Sequence, residues 1–214
     1  MPPNQSNAES KKTLRKSLRQ ALKEFILDLD TKKIEDEQIL ARLRSTFSLI
    51  RLPPEFAVAA YAERSSEFPI SLALTLPQLS PYLKVFPVVD SNQGMDFYLP
   101  QESDVSIWRD GAFGIKEPQI EKSKRVSPSQ IGIYLVPCLG VGPMGERLGN
   151  GKGYYDRYIG QKVPTDHFYL TVACIYDCQW TSSSSIFDEW DVRIDIVLSP
   201  SKVFLSQKAE ELLK

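Results

Sequence analysis

The chain has 214 residues, 42% of them apolar, and its 26 basic and 27 acidic side chains leave a net charge of −1. This length suits one domain, and the near-neutral charge gives no general attraction to nucleic acid or to an anionic membrane, so neither partner is expected. No apolar run approaches the roughly 18 residues of a membrane-spanning helix. The N-terminus lacks the apolar core of a signal peptide, and three cysteines do not make a disulfide framework. We therefore predict a cytoplasmic protein.

The first helix is predicted after a polar N-terminal tail. Residues 1–9 contain prolines and few apolar side chains, so we predict that they are disordered. Ser10 is a candidate N-cap for a helix over residues 11–28, in which apolar side chains recur at helical spacing. Its polar face is basic. Lys11 and Arg15 lie four residues apart and can clamp one polyphosphate, although a basic helix face is more commonly a solvated surface.

The rest of the chain alternates between helical and strand-like patterns. The predicted helices cover residues 33–48, 70–83, 154–160 and 201–213, and the predicted strands cover residues 56–62, 85–89, 131–136, 168–176 and 194–198. Strands that alternate with helices imply a mostly parallel sheet flanked by helices, which is a three-layer α/β fold. No repeat or linker interrupts residues 10–214, so we predict a single domain there.

A glycine-rich loop follows the predicted strand over residues 131–136. It carries six of the eleven glycines, from Gly140 to Gly153, together with Arg147 and Lys152. Glycine permits positive φ and close backbone approach. A glycine-rich loop that leads into a helix can direct several N–H groups at one anion, which the helix dipole also favours. The composition of this loop therefore indicates a phosphate-binding site.

The loop does not match the common phosphate-binding motifs. Gly151-Lys152 is followed by glycine, where a Walker A loop needs serine or threonine. Tyr154 stands where a dinucleotide-binding motif needs its third glycine. The alternative is a long, flexible surface connection, which is less favourable because each ordered glycine loses additional backbone entropy.

The glycine loop closely resembles the signature of the 5-formyltetrahydrofolate cyclo-ligase family, also called methenyltetrahydrofolate synthetases, in the run Gly145-x-Arg147-Leu148-Gly149-x-Gly151-Lys152-Gly153-Tyr154-Tyr155-Asp156. The resemblance extends over about residues 11–198 and includes a Gly-Ile-x-Glu-Pro element at residues 114–118. It implies a Mg²⁺-dependent enzyme that uses ATP as co-substrate. Such an enzyme converts 5-formyltetrahydrofolate, with or without a polyglutamate tail, to 5,10-methenyltetrahydrofolate and releases ADP and phosphate.

The resemblance also implies where ATP and the metal bind. Arg147 and Lys152 would be the catalytic cations that stabilise the transferring phosphoryl group. Asp156 and Asp191 would hold Mg²⁺ through carboxylate oxygens. The implied ATP site combines the two cations of the first helix with the glycine loop: Lys11, Arg15, Arg147, Leu148, Gly149, Asn150, Gly151, Lys152, Gly153, Tyr154 and Tyr155.

The implied folate site draws on several separate segments: Ala62, Glu67, Met95, Phe97, Trp108 and Tyr155. The Glu67 carboxylate can accept hydrogen bonds from the two-donor edge of a pterin, and the alternative is a charge at a helix N-terminus. Met95 and Phe97 share one face of a strand, which core packing explains equally well. Trp108 can stack on the folate.

Four positions depart from the family pattern: Ile70, Cys138, Val141 and Gly142. They are candidates for altered contacts with folate. Two other functions stay open: another ATP-dependent enzyme with a different small substrate on the same fold, and a non-catalytic RNA-binding or regulatory relative. The near-neutral charge and the complete glycine loop argue against the second of these. We expect a monomer.

Overall fold

The structure, a computed structural model, describes residues 5–90, 94–101, 107–111, 114–182, 187–188 and 191–213. Within these ranges the helices are α1 (Gln5–Phe25), α2 (Leu29–Leu49), α3 (Ile70–Leu74), α4 (Tyr154–Lys162) and α5 (Gln207–Leu212). The strands are β1 (Ala57–Ala59), β2 (Leu83–Val89), β3 (Met95–Pro100), β4 (Trp108–Asp110), β5 (Lys116–Pro118), β6 (Ser123–Arg125), β7 (Ile131–Leu135), β8 (Gly140–Val141), β9 (Arg147–Leu148), β10 (Leu170–Cys174), β11 (Ile196–Leu198) and β12 (Val203–Leu205).

Eight of these strands form one sheet, in the order β12-β11-β10-β7-β1-β2-β3-β6. Its middle strands, from β11 to β2, are parallel, whereas β12, β3 and β6 pair antiparallel at the two edges. Two small antiparallel ribbons, β4–β5 and β8–β9, lie outside this sheet. The prediction of a mostly parallel α/β sheet is therefore confirmed.

Helices cover both faces of the sheet, as expected for parallel strands that are buried on both sides. On one face, side chains of α1, α2, α3 and α5 share an apolar core with alternate strand residues such as Val58 and Leu135. On the other face, Tyr158 and Ile159 of α4 share a second core with residues such as Val197. These three layers confirm the predicted architecture. Across the described ranges, none of the helices is long and apolar enough to cross a membrane.

Helix α1 begins earlier than predicted. Residues 5–9 belong to α1 rather than to a disordered tail, and residues 1–4 lie outside the described residues. Ser10 is therefore inside the helix, and the prediction that it is the N-cap is wrong. A tertiary contact explains the extension, because the Asn7 side chain donates a 3.1 Å hydrogen bond to Asp188. Sequence periodicity does not show such a contact.

Two further boundaries differ from the prediction for local reasons. Helix α2 begins at Leu29, because Asp28 is its N-cap and accepts a 3.0 Å hydrogen bond from the Thr31 N–H. Helix α3 ends at Leu74 instead of residue 83. Pro77 follows closely, and a residue that precedes proline disfavours helical geometry.

The loops that carry the predicted site lie at one edge of the sheet. Strands β1 and β7 are parallel neighbours, so the segment after Ala59 and the glycine loop after Leu135 both leave from carboxyl ends of strands. In open α/β sheets, ligands bind outside these carboxyl ends. The topology therefore brings the candidate folate residues of the first loop next to the candidate phosphate residues of the second.

Candidate active site

A cleft of about 370 Å³ opens at this edge of the sheet. The glycine loop forms one wall, and the segment after β1 and parts of β2 and β3 form the others. The cleft is lined by 18 residues: Arg19, Tyr61, Ala62, Arg64, Glu67, Pro87, Val89, Met95, Ile115, Glu117, Pro137, Arg147, Gly149, Asn150, Lys152, Gly153, Tyr154 and Tyr155. Cations such as Arg147 and Lys152 and apolar side chains such as Val89 and Met95 both line it. The cleft can therefore hold a ligand with both an anionic and a flat apolar part.

The glycine loop turns sharply before α4. Gly151 and Gly153 adopt φ of 97° and 66°, and Gly153 is the N-cap of α4 in the left-handed region. A residue with a Cβ would be strained in either conformation. The N-terminus of α4 meets the cleft where Lys152 and Gly153 line it. The helix dipole and the unpaired N–H groups of its first turn therefore favour an anion at this end of the cleft.

Arg147 is held rigidly at the base of the loop. It is 6% exposed, its Nε donates to the Pro137 carbonyl at 3.1 Å, and its Nη1 lies 3.4 Å from Asp156 Oδ1. Its guanidinium also lies over the Tyr155 ring, 5.2 Å from the centroid. Contacts on three sides fix the orientation of this cation, so its charge is in place before a ligand binds.

The two predicted metal ligands lie close together. Asp156 Oδ1 accepts a 3.1 Å hydrogen bond from the N–H of Val192, the residue after Asp191. Asp191 is already paired, because its Oδ2 accepts from Lys11 Nζ. Lys11 also binds Asp188 at 2.6 Å. Among the described residues, no group of three histidine, cysteine or acidic side chains is arranged to hold a metal ion.

The other predicted ATP residues occupy different positions. Lys11 is 6% exposed and faces the two aspartates, not the cleft. Arg15 donates from Nε to the Gly149 carbonyl at 3.0 Å, and burial lowers the pKa of this guanidinium. Leu148 is 1% exposed and its side chain belongs to the core. Arg15 thus supports the glycine loop directly, and Leu148 can offer only its backbone to a ligand.

The predicted folate residues are brought together in part. Ala62, Glu67, Met95 and Tyr155 line the cleft. Phe97 does not, because it is fully buried among aromatic rings of the core on the α4 side of the sheet. Met95 shares that face of β3 and also packs in this core, but it borders the cleft as well. Alternation along β3 does not tell how far the cleft extends along the strand, so the position of Phe97 could not be decided from the sequence.

Trp108 lies in a neighbouring cavity of about 490 Å³. Its ring packs edge-on against Phe86, with 4.9 Å between centroids. Tyr61 and Ala62 line both this cavity and the cleft. Trp108 is therefore placed to contact a ligand only if that ligand extends past Ala62.

Glu67 and Tyr155 bring polar groups into the apolar part of the cleft. Glu67 Oε2 accepts a 2.8 Å hydrogen bond from the Arg64 N–H, and burial raises the pKa of the Glu67 carboxyl group. The Tyr155 hydroxyl is buried and makes no hydrogen bond to the described residues. Burial also raises the pKa of Tyr155, so this hydroxyl stays protonated and can donate. A buried polar group without a partner is costly, and a bound ligand can provide that partner.

The raised pKa of Glu67 predicts a pH-dependent stability. The stabilisation from a protonated Glu67 is fully present below its unfolded-state pKa of about 4.3 and is lost as the pH rises through the raised folded-state pKa. Glu67→Gln removes the ionising group. We therefore expect the Tm of Glu67→Gln, relative to wild type, to increase as the pH is raised from about 4 to about 8 in thermal unfolding.

The matched control is Glu63→Gln, which alters a carboxylate on the same loop that bonds to the Ser71 hydroxyl. It should show no comparable trend. A Tm difference for Glu67→Gln that stays constant with pH would show that the Glu67 carboxyl group is not desolvated in the fold.

The departures from the family pattern lie beside the cleft and not in its lining. Val141 is fully buried, and a Cβ on Gly142 would lie 2.6 Å from Glu146 Oε2. The Glu146 carboxylate, which is 6% exposed and accepts from the Met144 N–H, therefore occupies the space of a side chain at position 142. Burial raises the pKa of Cys138 to about 12, so this thiol is not a nucleophile.

Several residues that line the cleft are absent from the sequence prediction. They include Arg19, Tyr61, Arg64, Glu117 and Pro137. Sequence patterns could have identified two of these residues. Arg19 continues the four-residue spacing of the α1 cations, and Glu117 belongs to the Gly-Ile-x-Glu-Pro element. No sequence pattern singles out Arg64, because only the path of the loop after β1 directs it into the cleft.

Comparison with known proteins agrees with this geometry. The model of the 5-formyltetrahydrofolate cyclo-ligase family matches residues 7–200, which is most of the chain and includes every segment that lines the cleft. The chain belongs to this family. The match extends from α1 through β11 and thus covers the whole parallel part of the sheet.

Curated cyclo-ligases match the chain over shorter segments. The 5-formyltetrahydrofolate cyclo-ligase of Mycoplasma genitalium is 30% identical over 78 residues, which are 36% of this chain and 44% of that protein. The Escherichia coli K12 protein of the same name is 30% identical over 91 residues, which are 42% of this chain and 48% of that protein. The chain therefore aligns with slightly less than half of each of these curated cyclo-ligases.

Solved structures of 5,10-methenyltetrahydrofolate synthetases share the fold. The Aquifex aeolicus structure has a TM-score of 0.70 and 27% identity, and the match covers 92% of this chain and 93% of that one. The Mycoplasma pneumoniae structure has a TM-score of 0.64 and 24% identity, over 89% of this chain and 98% of that one. The architecture of the cyclo-ligase family thus extends over nearly the whole chain.

Proposed function

We propose that this chain catalyses the ATP- and Mg²⁺-dependent conversion of 5-formyltetrahydrofolate to 5,10-methenyltetrahydrofolate, with release of ADP and phosphate. One observation carries the proposal. A single cleft joins a glycine loop with two cations, Arg147 and Lys152, to a pocket that holds Glu67, Met95 and Tyr155. The reaction requires a phosphoryl donor and a folate side by side. The names of the relatives in the family support the same activity.

The chemistry has two steps. The formyl oxygen is a poor leaving group, so it first attacks the γ-phosphorus of ATP, the bond to the β-phosphate oxygen breaks and ADP leaves. The N10 amine then attacks the activated formyl carbon, a C–N bond forms, and the C–O bond breaks. Phosphate departs with the original formyl oxygen, and N10 loses its proton. Negative charge develops on the leaving ADP oxygen in the first step and on the departing phosphate in the second. Cations at the loop stabilise this charge in both steps.

Each loop residue has a role in this scheme. The backbone N–H groups of residues 149–153 and the α4 N-terminus bind phosphate oxygens. Arg147 and Lys152 stabilise the charge on the transferring phosphoryl group. Arg15 holds the loop through the Gly149 carbonyl and adds positive charge beside it. The rigid contacts of Arg147 keep its charge in place without reorganisation during the reaction.

The acidic residues present fit Mg²⁺ rather than a metal held by protein ligands alone. Asp156 and Asp191 supply two carboxylates, and Mg²⁺ normally completes its shell with water and substrate phosphates. Asp156 Oδ1 is engaged by Val192 and Arg147. Asp191 Oδ2 accepts from Lys11, so metal binding through this oxygen requires Lys11 to move to a phosphate, which is the role that the family resemblance implies for Lys11. Bound Mg²⁺ would neutralise charge on the β- and γ-phosphate oxygens.

Asp156→Asn is expected to raise the Mg²⁺ concentration required for half-maximal ATP binding by about tenfold, since one charged ligand is lost. Asparagine retains an oxygen that can accept the Val192 N–H, so the fold should persist. Titration of ATP at several Mg²⁺ concentrations in a calorimeter measures this effect without turnover. Asp166→Asn, at an exposed position, is the control. Equal Mg²⁺ dependence in the two variants would remove Asp156 from the metal site.

The folate end of the cleft is built from Glu67, Met95 and Tyr155. Glu67 accepts hydrogen bonds from the pterin edge, the Tyr155 hydroxyl donates to a substrate oxygen, and Met95 packs against the ring. In this proposal the reacting formyl group lies between Glu67 and the glycine loop. Folate therefore has its pterin end at the loop and its glutamate end away from it.

The direct test is the near-ultraviolet absorbance of 5,10-methenyltetrahydrofolate. We expect absorbance to rise when the full chain is mixed with 5-formyltetrahydrofolate, ATP and Mg²⁺, and not when any one of them is omitted. No rise together with tight Mg²⁺-dependent ATP binding would retain the phosphate loop and reject the folate assignment. No rise and no nucleotide binding would favour a non-catalytic relative.

A further inference from the structure

A side cavity of about 240 Å³ lies between α1 and the loop after β1. It adjoins the cleft, because Arg19, Arg64, Glu67 and Asn150 line both. Lys23 lines only the side cavity. The proposed reaction scheme leaves this cavity without a role.

The side cavity has an excess of positive charge. Arg19, Lys23 and Arg64 surround it, whereas Glu67 is the only acidic residue in its lining. Within the described residues, no ion pair joins Arg19, Lys23 or Arg64 to a carboxylate. Arg19 instead donates to the carbonyl and side-chain oxygens of Asn150, at 3.4 Å each. Arg64 interacts electrostatically with the Glu67 carboxyl group. Three cations against one carboxyl group around one cavity still create a local field that attracts an anion.

A row of basic side chains on α1 runs from the cleft to the side cavity. Arg15, Arg19 and Lys23 recur every four residues, so they lie on one face of the helix and successive members are about 6 Å apart along its axis. Arg15 contacts the glycine loop, Arg19 lies at the junction, and Lys23 lies in the side cavity. The row therefore leads from the phosphate loop to the side cavity. From the sequence, Arg15 is predicted to bind ATP, whereas Arg19 and Lys23 have the simpler interpretation of a solvated surface.

The location of the side cavity indicates which anion it would bind. A folate has carboxylates only at its glutamate end, and Glu67 would hold the opposite, pterin end. The side cavity meets the cleft at Glu67 and Asn150, which is the pterin and phosphate end. The anion produced there is the phosphate that leaves the formyl carbon. Lys23 is exposed, so a ligand in the side cavity can exchange with solvent.

We propose that the side cavity is a binding site for inorganic phosphate, with Lys23 and Arg64 as its ligands and Arg19 at its entrance from the cleft. The source of the phosphate rests on the proposed function, whereas the binding site itself rests on the cavity and its charges. Phosphate that leaves the reacting carbon passes Arg19 into the side cavity while methenyltetrahydrofolate still occupies the cleft. Separate exits for the two products prevent either from blocking the other.

Binding of inorganic phosphate to the ligand-free full chain tests this site directly. We expect the double variant Lys23→Ala/Arg64→Ala to bind phosphate about tenfold more weakly than wild type in calorimetry, as loss of charged hydrogen-bond donors implies. Lys16→Ala removes a cation from an exposed position of α1 that lines neither cavity, so it should bind phosphate like wild type. Matching Tm values would show that the variants are folded.

Two outcomes would overturn the proposal. The first is phosphate binding that Lys152→Ala abolishes and the double variant leaves unchanged, because the phosphate would then occupy the glycine loop. The second is a double variant that binds phosphate like wild type but binds polyglutamylated 5-formyltetrahydrofolate more weakly than wild type does, with an unchanged affinity for the monoglutamylated form. That result would assign the side cavity to glutamate carboxylates. These measurements need no turnover, so they are independent of the absorbance assay that tests the proposed function.

Discussion

Lys152→Ala is expected to lower kcat about 100-fold, which is typical for loss of one group that stabilises charge in a transition state. Lys152 lines the cleft between two glycines with positive φ, immediately before the N-terminus of α4. Its side chain is exposed, so its removal should change stability little. Steady-state kinetics with ATP and 5-formyltetrahydrofolate, followed through the methenyl absorbance, measures the effect.

Two comparisons sharpen this test. Lys152→Arg keeps the charge and should recover part of the lost rate, because the proposed role is electrostatic and not a proton transfer. Lys16→Ala removes an exposed cation outside the cleft and should leave kcat unchanged. Wild-type kinetics for Lys152→Ala would mean that the glycine loop does not hold the reacting phosphoryl group.

Arg147→Met is expected to lower both kcat and stability, in contrast to Lys152→Ala. Methionine is close to the length of the arginine stem but leaves the Pro137 carbonyl and Asp156 without their partner. Loss of hydrogen bonds to a charged group costs about 2 kcal/mol, and the rate should fall about 100-fold or more. Urea unfolding measures the free energy of unfolding, and the absorbance assay measures kcat.

Arg147→Lys separates the two effects. Lysine keeps a positive charge, but its compact ammonium group lacks the planar fork of donors with which arginine contacts Pro137 and Asp156 at the same time. We expect the kcat of Arg147→Lys to remain well below that of wild type, and its free energy of unfolding to recover only part of the loss seen in Arg147→Met. If Arg147→Met retained wild-type stability, the contacts seen around this guanidinium would not be formed in solution.

The organisation of the candidate active site explains why we expect these two cations to differ. Lys152 extends from a loop whose shape is set by its glycines, so its neighbours can tolerate its loss. Arg147 lies in β9 and joins the end of β7, through Pro137, to the start of α4, through Asp156. A side chain that connects two elements in this way should support the geometry of the cleft as well as supply charge for the proposed reaction.

The sequence by itself determined the class of fold and the location of the glycine loop. Both depend on local patterns. Residues 131–136 form an apolar run, six glycines fall within residues 140–153, and the residues after Gly153 are helical. Hydrophobic periodicity and glycine content are properties of short segments, so they can be recognised without knowledge of distant contacts.

Only the tertiary structure decided which side chains face the cleft. Met95 and Phe97 are both buried in the core on one face of β3, and of the two only Met95 also lines the cleft. Lys11 pairs with Asp188 and Asp191, from which it is separated by 177 and 180 positions in the chain. Arg64 enters the cleft because of the path of a loop. The physical reason is that packing between distant segments sets burial and charge pairing, and no local pattern records which segments will meet.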